Sequence, residues 1–282
     1  MPGGRNPWDI PEWHAIGREA ALVRHLVGSG VTALGRANYA DKTGEYYTAF
    51  FGLSVGLERL VKLILVADHA VSHNGQMPGE RVVRKFGHKL VELTNAADAV
   101  TEKHKLTLDY PRPTTVISAK IIECLDAFAD VGRGRYANFV ALGDPNLGQD
   151  ELIRKWWGEV AELILKEHYY GKQAQERVEA RAKVVDTEMS SFTMVLYINE
   201  TGDAMQDVLS SSIRTGQTDI VQRYGRYYAL TVVRWLAELF SDLSRSACDT
   251  HNVDAFFGVW EYFQTYTLDD SFLQTRKIWP LN

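Results

Sequence analysis

Apolar residues crowd one stretch of the chain more than any other. Tyr46 to Val71 is apolar on nearly every side and is interrupted mainly by Glu58, Arg59 and Lys62. A helix that is hydrophobic all round belongs inside other helices, so this segment, from about Glu45 to Val71, is the expected central strut. Ala49, Gly52 and Gly56 form a small-residue stripe along it, which predicts close approach by a neighbour. Glu58 and Lys62 lie one turn apart in the favourable order for an ion pair.

Upstream, Ile16, Ala20, Val23, Val27, Val31 and Leu34 recur on one face and predict a helix from Pro11 to about Tyr39. Downstream, the turn HNGQMPGE precedes a helix expected from about Gly79 to Lys103, with Val82, Val83, Phe86, Leu90, Leu93, Ala96 and Val100 facing inward. Another helix runs from Pro113 through Ile121 and Phe128. ALGDPNLGQD, at residues 141–150, reads as a linker because of its Gly, Pro and turn residues. Beyond it, Leu152 to Tyr170 is amphipathic, and Gly171 to about Thr187 is charged enough to be a solvated face. SFTMVLYIN, residues 191–199, has strand-like composition but no evident partner strand, so a buried helical continuation is expected there. A short helix at 203–213, a long one at 218–248 and segments at 253–266 and 269–277 complete the pattern. The fold class implied is all-α: a helical bundle over residues 1–145 and a C-terminal helical region over 146–282 packed on it.

Composition adds limits. The 282 residues are 45% hydrophobic and 24% charged, with a net charge of -5, so any site for nucleic acid must be a local basic feature. Cys124 and Cys248 have no CxxC partner, which points away from zinc and disulfide frameworks and toward a reducing cytoplasm. The N-terminus lacks the pattern of a secretory signal, and no apolar run reaches the roughly 18–20 residues of a membrane span. GxGxxG and GxxxxGK[ST] patterns are absent.

Four groups of residues can carry chemistry. His88, with Arg84, Gly87 and Lys89, falls near a helix start, where free N–H groups and the dipole favour anions; the plainer alternative is a polar cap. Arg133, Arg135 and Tyr136, between Gly132, Gly134 and Asn138, offer two guanidiniums on a backbone that an anion can approach closely. Alternatively those arginines pair with Asp126, Asp130 or Asp144. Arg223, Tyr224, Arg226, Tyr227, Tyr228, Arg234 and Trp235 interleave cations with aromatics, as base-stacking surfaces do. Helical spacing, however, assigns Tyr224, Tyr228 and Trp235 to a core stripe. His69 and His73 have metal-ligand spacing, but two histidines at a helix C-terminus also suit its dipole; neither a metal nor a cofactor is expected.

Tyr46-Tyr47 through Phe50-Phe51, Leu57-Glu58-Arg59-Leu60-Val61-Lys62, Gly87-His88-Lys89-Leu90 and Arg135-Tyr136 together resemble the HEPN superfamily (higher eukaryotes and prokaryotes nucleotide-binding domain), over roughly residues 45–140. The resemblance implies an up-down helical bundle that forms homodimers and binds a nucleotide or RNA, in prokaryotic phage-defence or toxin–antitoxin systems with a partner protein. Its implied site is His88, Lys89, Arg133, Arg135, Tyr136 and Asn138, supported by Glu58 and Lys62. Many HEPN members cleave RNA without metal through Arg-x(4–6)-His, which Arg81-x6-His88 matches, as do Arg18-x6-His25 and Arg245-x5-His251. In that case Arg81 and His88 are the catalytic pair. A helical scaffold or interaction subunit without a small ligand is the reading from a different class.

Overall fold

The computed structural model describes residues 6–129, 139, 142–143 and 151–281. Arg133, Arg135, Tyr136, Asn138 and most of the 141–150 linker lie outside the described residues. The fold is all-α. Its helices are α1 (Pro11–Leu34), α2 (Gly44–Ser72), α3 (Glu80–Lys85), α4 (Leu90–His104), α5 (Val116–Ala129), α6 (Leu152–Trp156), α7 (Glu162–His168), α8 (Gln173–Met189), α9 (Val208–Asp249) and α10 (Asp270–Thr275). Among the described residues the one β element is a hairpin, β1 (Tyr197–Ile198) antiparallel to β2 (Ala204–Met205). No helix among the described residues is long and apolar enough to cross a membrane.

α2 is the central strut, packed by α1, α4, α5 and α9. The small-residue stripe explains how α1 comes so close. A Cβ on Gly52 would lie 2.6 Å from the Leu26 carbonyl oxygen, and one on Gly30 would lie 2.9 Å from the Leu53 nitrogen. The two backbones meet there, and any side chain would force them apart. One continuous apolar cluster runs from Ile10 to Trp279, so residues from both ends of the chain share a core.

Between α6 and α7 the helix opens into a π turn, Trp157–Ala161, in which the Glu162 N–H reaches back to the Trp157 carbonyl. The extra residue turns both Trp156 and Trp157 into the core. Trp157 Nε1 then donates to Tyr46 Oη at 2.8 Å.

Several expected elements differ. The first helix stops at Leu34 rather than near Tyr39. The helix expected over 79–103 is two helices, because Gly87 takes φ +77° and breaks the run. α4 restarts at Leu90, whose N–H donates to the Asp126 carboxylate from α5. On its inward face Ala97, not Ala96, is the buried position. The helices expected over 203–213 and 218–248 are one helix of 42 residues, capped by Asp207, whose carboxylate accepts the Ser210 N–H at 2.7 Å. Gly216 does not break it. A Cβ there would lie 2.4 Å from Val178 Cγ1, so the glycine admits α8 against α9.

The stretch 191–199 is not a buried helix but an exposed arm ending in the hairpin. Met194, Leu196 and Ile198 point outward, while Val195 and Met205 are buried in a small satellite cluster. The alternation over 194–196 is that of a strand, while both β1 residues, Tyr197 and Ile198, are exposed. Its partner strand comes after the tight turn Asn199–Gly202, closed by Asn199 Oδ1 accepting from the Thr201 and Asp203 N–H groups at 2.9 Å each. Glu200 pins the turn to the bundle. Its buried carboxylate lies 2.9 Å from Arg214 of α9 and accepts from Tyr46 Oη of α2 at 3.1 Å. Arg214 stacks on Trp157 at 3.6 Å from the ring centroid. Burial, followed by the Glu200 charge, holds the Tyr46 phenol well above its ordinary range.

Candidate functional site

Glu58, Lys62 and His88 are brought together beside the middle of α2. Glu58 and Lys62 pair across one helical turn at 2.7 Å. Gly87 swings the chain back so that His88 Nδ1 reaches the same Glu58 oxygen at 2.9 Å. A carboxylate only accepts, so Nδ1 carries the proton. The 3.4 Å approach of Lys62 Nζ to Nδ1 then sets two donors side by side, which makes it a contact and not a hydrogen bond. Burial alone would raise the Glu58 carboxyl. The hydrogen bonds from Lys62 and His88, together with their charges, outweigh it and hold the group below its ordinary range. The His88 ring is mostly exposed, its side chain 79% accessible, so Nε2 remains available to a ligand.

Around this triad the segment 81–89, which is most of α3 and the turn after it, is basic and is termed the basic turn below. Arg81, Arg84, Lys85, His88 and Lys89 are all exposed, and no acidic residue lies among them. Arg84 pairs with Glu80 at 2.6 Å and Lys89 with Glu92 at 2.9 Å. Arg81 and Lys85 make no ion pair among the described residues, and no hydrogen bond links Arg81 to His88. The first N–H of α4 is already taken by Asp126, so an anion here meets side-chain cations and not that bare amide. Arg133, Arg135, Tyr136 and Asn138, the other expected ligand contacts, lie outside the described residues.

His69 and His73 stack face to face with centroids 3.9 Å apart. His73 Nδ1 donates to the His69 carbonyl oxygen at 2.8 Å. The neighbouring Asp68 turns instead to Lys103 and His104, each at 2.7 Å. Burial works against its ionisation, but those two hydrogen bonds outweigh it and hold Asp68 below its ordinary range. Among the described residues no three His, Cys, Asp or Glu side chains are grouped so as to hold a metal ion.

A second feature was not legible as a site. Between α8 and α9 lies a cavity of about 590 Å³, with His168, Arg177, Arg181, Asp219, Arg223 and Tyr224 in its lining. Tyr224 is half-buried: it packs against the core cluster, as the helical spacing expects, and also lines this cavity. Its ring lies parallel to that of His168, 3.5 Å between centroids and 1° between planes. His168 Nε2 also meets Tyr228 Oη at 2.9 Å. Burial keeps His168 below the ordinary histidine range and therefore neutral near pH 7. Burial raises Asp219, against the opposing pull of Arg181 and Lys277. The one sequence signal was the Arg223-Tyr224 pair. Its cationic partners sit about forty residues earlier, on a helix whose charge pattern reads as plain solvated surface.

Comparison of the chain with protein-family models, curated proteins and solved structures finds no match.

Proposed function

We propose that this protein binds RNA through phosphate contacts at the basic turn formed by residues 81–89. One observation carries the reading: Arg81, Lys85 and His88 stand exposed at the turn, and Glu58 fixes the His88 ring with Nε2 outward. Phosphates attract such a cluster whatever the overall charge of the chain, because the interaction is local and screened beyond about 10 Å at 0.1 M salt. The turn is open rather than enclosed, which suits a polymer backbone better than a small nucleotide. The HEPN resemblance over residues 45–140 supports the reading, and with it a homodimer acting beside a partner protein in a defence or toxin–antitoxin system.

Gel retardation of a single-stranded RNA tests it. The wild type is expected to shift the RNA, with affinity falling steeply as salt rises. The double variant Arg81→Ala/Lys85→Ala is expected to bind about tenfold more weakly, and to reduce the slope of log affinity against log salt by about 1–1.5 for two lost phosphate contacts. Absence of retardation at low salt and high protein concentration overturns the reading.

A second reading is favoured by the Glu58–His88 hydrogen bond. A carboxylate that fixes the imidazole tautomer leaves Nε2 placed for proton transfer, with Arg81 as the phosphate-charge partner in metal-independent RNA cleavage. Incubation with RNA in EDTA decides it. Cleavage lost in His88→Ala supports the reading, and intact RNA with the wild type removes it.

A further inference from the structure

The cavity between α8 and α9 shares no residue with the basic turn at 81–89. We infer that it is a binding site for a free mononucleotide, a small ligand joining an aromatic base to a phosphate.

Charge is the first argument. Arg177 and Arg181 stand one turn apart on α8, Arg223 lines the same cavity from α9, and Asp219 is the one carboxylate in the lining. None of these three arginines makes an ion pair among the described residues. Yet the chain holds 36 acidic residues against 31 basic ones. Elsewhere Arg112, Arg214 and Arg234 each hold a carboxylate, within 3.0 Å. Three guanidiniums without a paired carboxylate around one cavity, Arg223 lying over the Tyr224 ring at 5.3 Å, give a phosphate forked donors beside an aromatic wall.

The walls are the second argument. The parallel His168–Tyr224 pair supplies a flat wall, uncharged near pH 7, at one end, and Val178, Ala182, Val185 and Ile220 make the lining apolar between the charges. A base and sugar match such a wall, by stacking and by burial of apolar surface. An inorganic anion alone leaves it unfilled.

Size is the third. About 590 Å³ falls within the roughly 300–1,000 Å³ of small-ligand sites. At Gly216 the two helices touch, with Val178 where a Cβ would stand. The cavity is therefore bounded at that point, which favours a single nucleotide over a strand passing along the groove.

Isothermal titration of the purified chain with AMP, GMP, CMP and UMP tests the proposal, with adenosine, inorganic phosphate and a short single-stranded oligonucleotide as comparison ligands. At least one monophosphate is expected to bind, with adenosine and phosphate each at least about tenfold weaker than the best of them. Arg223→Ala and Arg177→Ala/Arg181→Ala are each expected to weaken it about tenfold or more, the loss of one strong charge-assisted contact. These arginines are exposed, so the variants are expected to fold. Their circular dichroism should match the wild type, and a single Arg177→Ala serves if the double variant does not. Three outcomes overturn the proposal: no monophosphate binding up to about 5 mM, affinity unchanged in the arginine variants, or phosphate alone or the oligonucleotide binding as well as the best monophosphate. The Arg81→Ala/Lys85→Ala variant is expected to keep full monophosphate affinity. If it loses it, the nucleotide sits at the basic turn and the cleft assignment is wrong, whereas failed RNA retardation leaves the cleft untouched.

Discussion

His88 Nδ1 donates to Glu58 Oε1 at 2.9 Å, across 30 positions of sequence, and the same oxygen holds Lys62 at 2.7 Å. One carboxylate therefore anchors the basic turn to the central helix and sets the orientation of the one histidine on it.

That anchor has a pH signature. Glu58 is held below its ordinary value of 4.5 in the folded chain. A depressed carboxylate stabilises the fold above its unfolded pKa, and the contribution is lost as pH falls through the folded value. Glu58→Gln is expected to cost about 1 kcal/mol near pH 7. The deficit should shrink as pH drops below the usual glutamate range. Urea unfolding of both proteins at pH 7 and near pH 3 reads it directly, and an equal gap at the two pH values refutes the ionised anchor.

The α1–α2 contact predicts a contrast between two glycines on the same helix. Gly52→Ala places a methyl 2.6 Å from the Leu26 carbonyl oxygen, so the helices must separate. A loss of about 2–3 kcal/mol is expected, as for overpacked cores. Gly44→Ala meets nothing within 4 Å and should be neutral or stabilising by up to about 1 kcal/mol, since alanine restricts the unfolded chain. Thermal melts of the pair suffice, and equal melting temperatures would count against the close contact.

Glu200 and Arg214 form the ion pair that fastens the hairpin, with the Glu200 side chain almost wholly inaccessible. Glu200→Ala leaves a buried guanidinium without its partner and is expected to cost about 3–5 kcal/mol. Glu200→Ala/Arg214→Met should recover much of that loss, because no charge is then stranded. A double variant no more stable than the single one contradicts the assignment.

The alternation on the arm before the hairpin is testable at neighbouring residues. Val195 is 8% exposed and Leu196 79%. Val195→Ala is expected to destabilise by about 1–2 kcal/mol. Leu196→Ser should change stability by no more than about 0.5 kcal/mol. Were residues 191–199 a buried helix instead, Leu196→Ser would be the damaging change.

The sequence by itself determined what depends on local period and residue size. The all-α class, the extent of α2 and its role as the central strut follow from apolar residues on every face of one segment. The Ala49–Gly52–Gly56 stripe announced a close neighbour, because small residues there have few other uses. The Glu58–Lys62 pair was legible too, since one helical turn fixes it. Tertiary structure decided what depends on chains meeting from far apart. Gly87 ends α3 by its backbone conformation, and Asp126 from another helix restarts α4. The expected gap between 213 and 218 is helical, and the glycine within it, Gly216, leaves room for Val178 of α8. The arm at 191–199 is strand-like because its partner lies beyond a turn held by Asn199, Thr201 and Asp203 and pinned to the bundle by Glu200. The cleft is the extreme case. Arg177 and Arg181 look like solvated charges along their own helix, and they line a cavity only where packing sets them beside Arg223, His168 and Tyr224. Charge spacing along one helix is local information, whereas which faces share a cavity is fixed by the packing of the whole core.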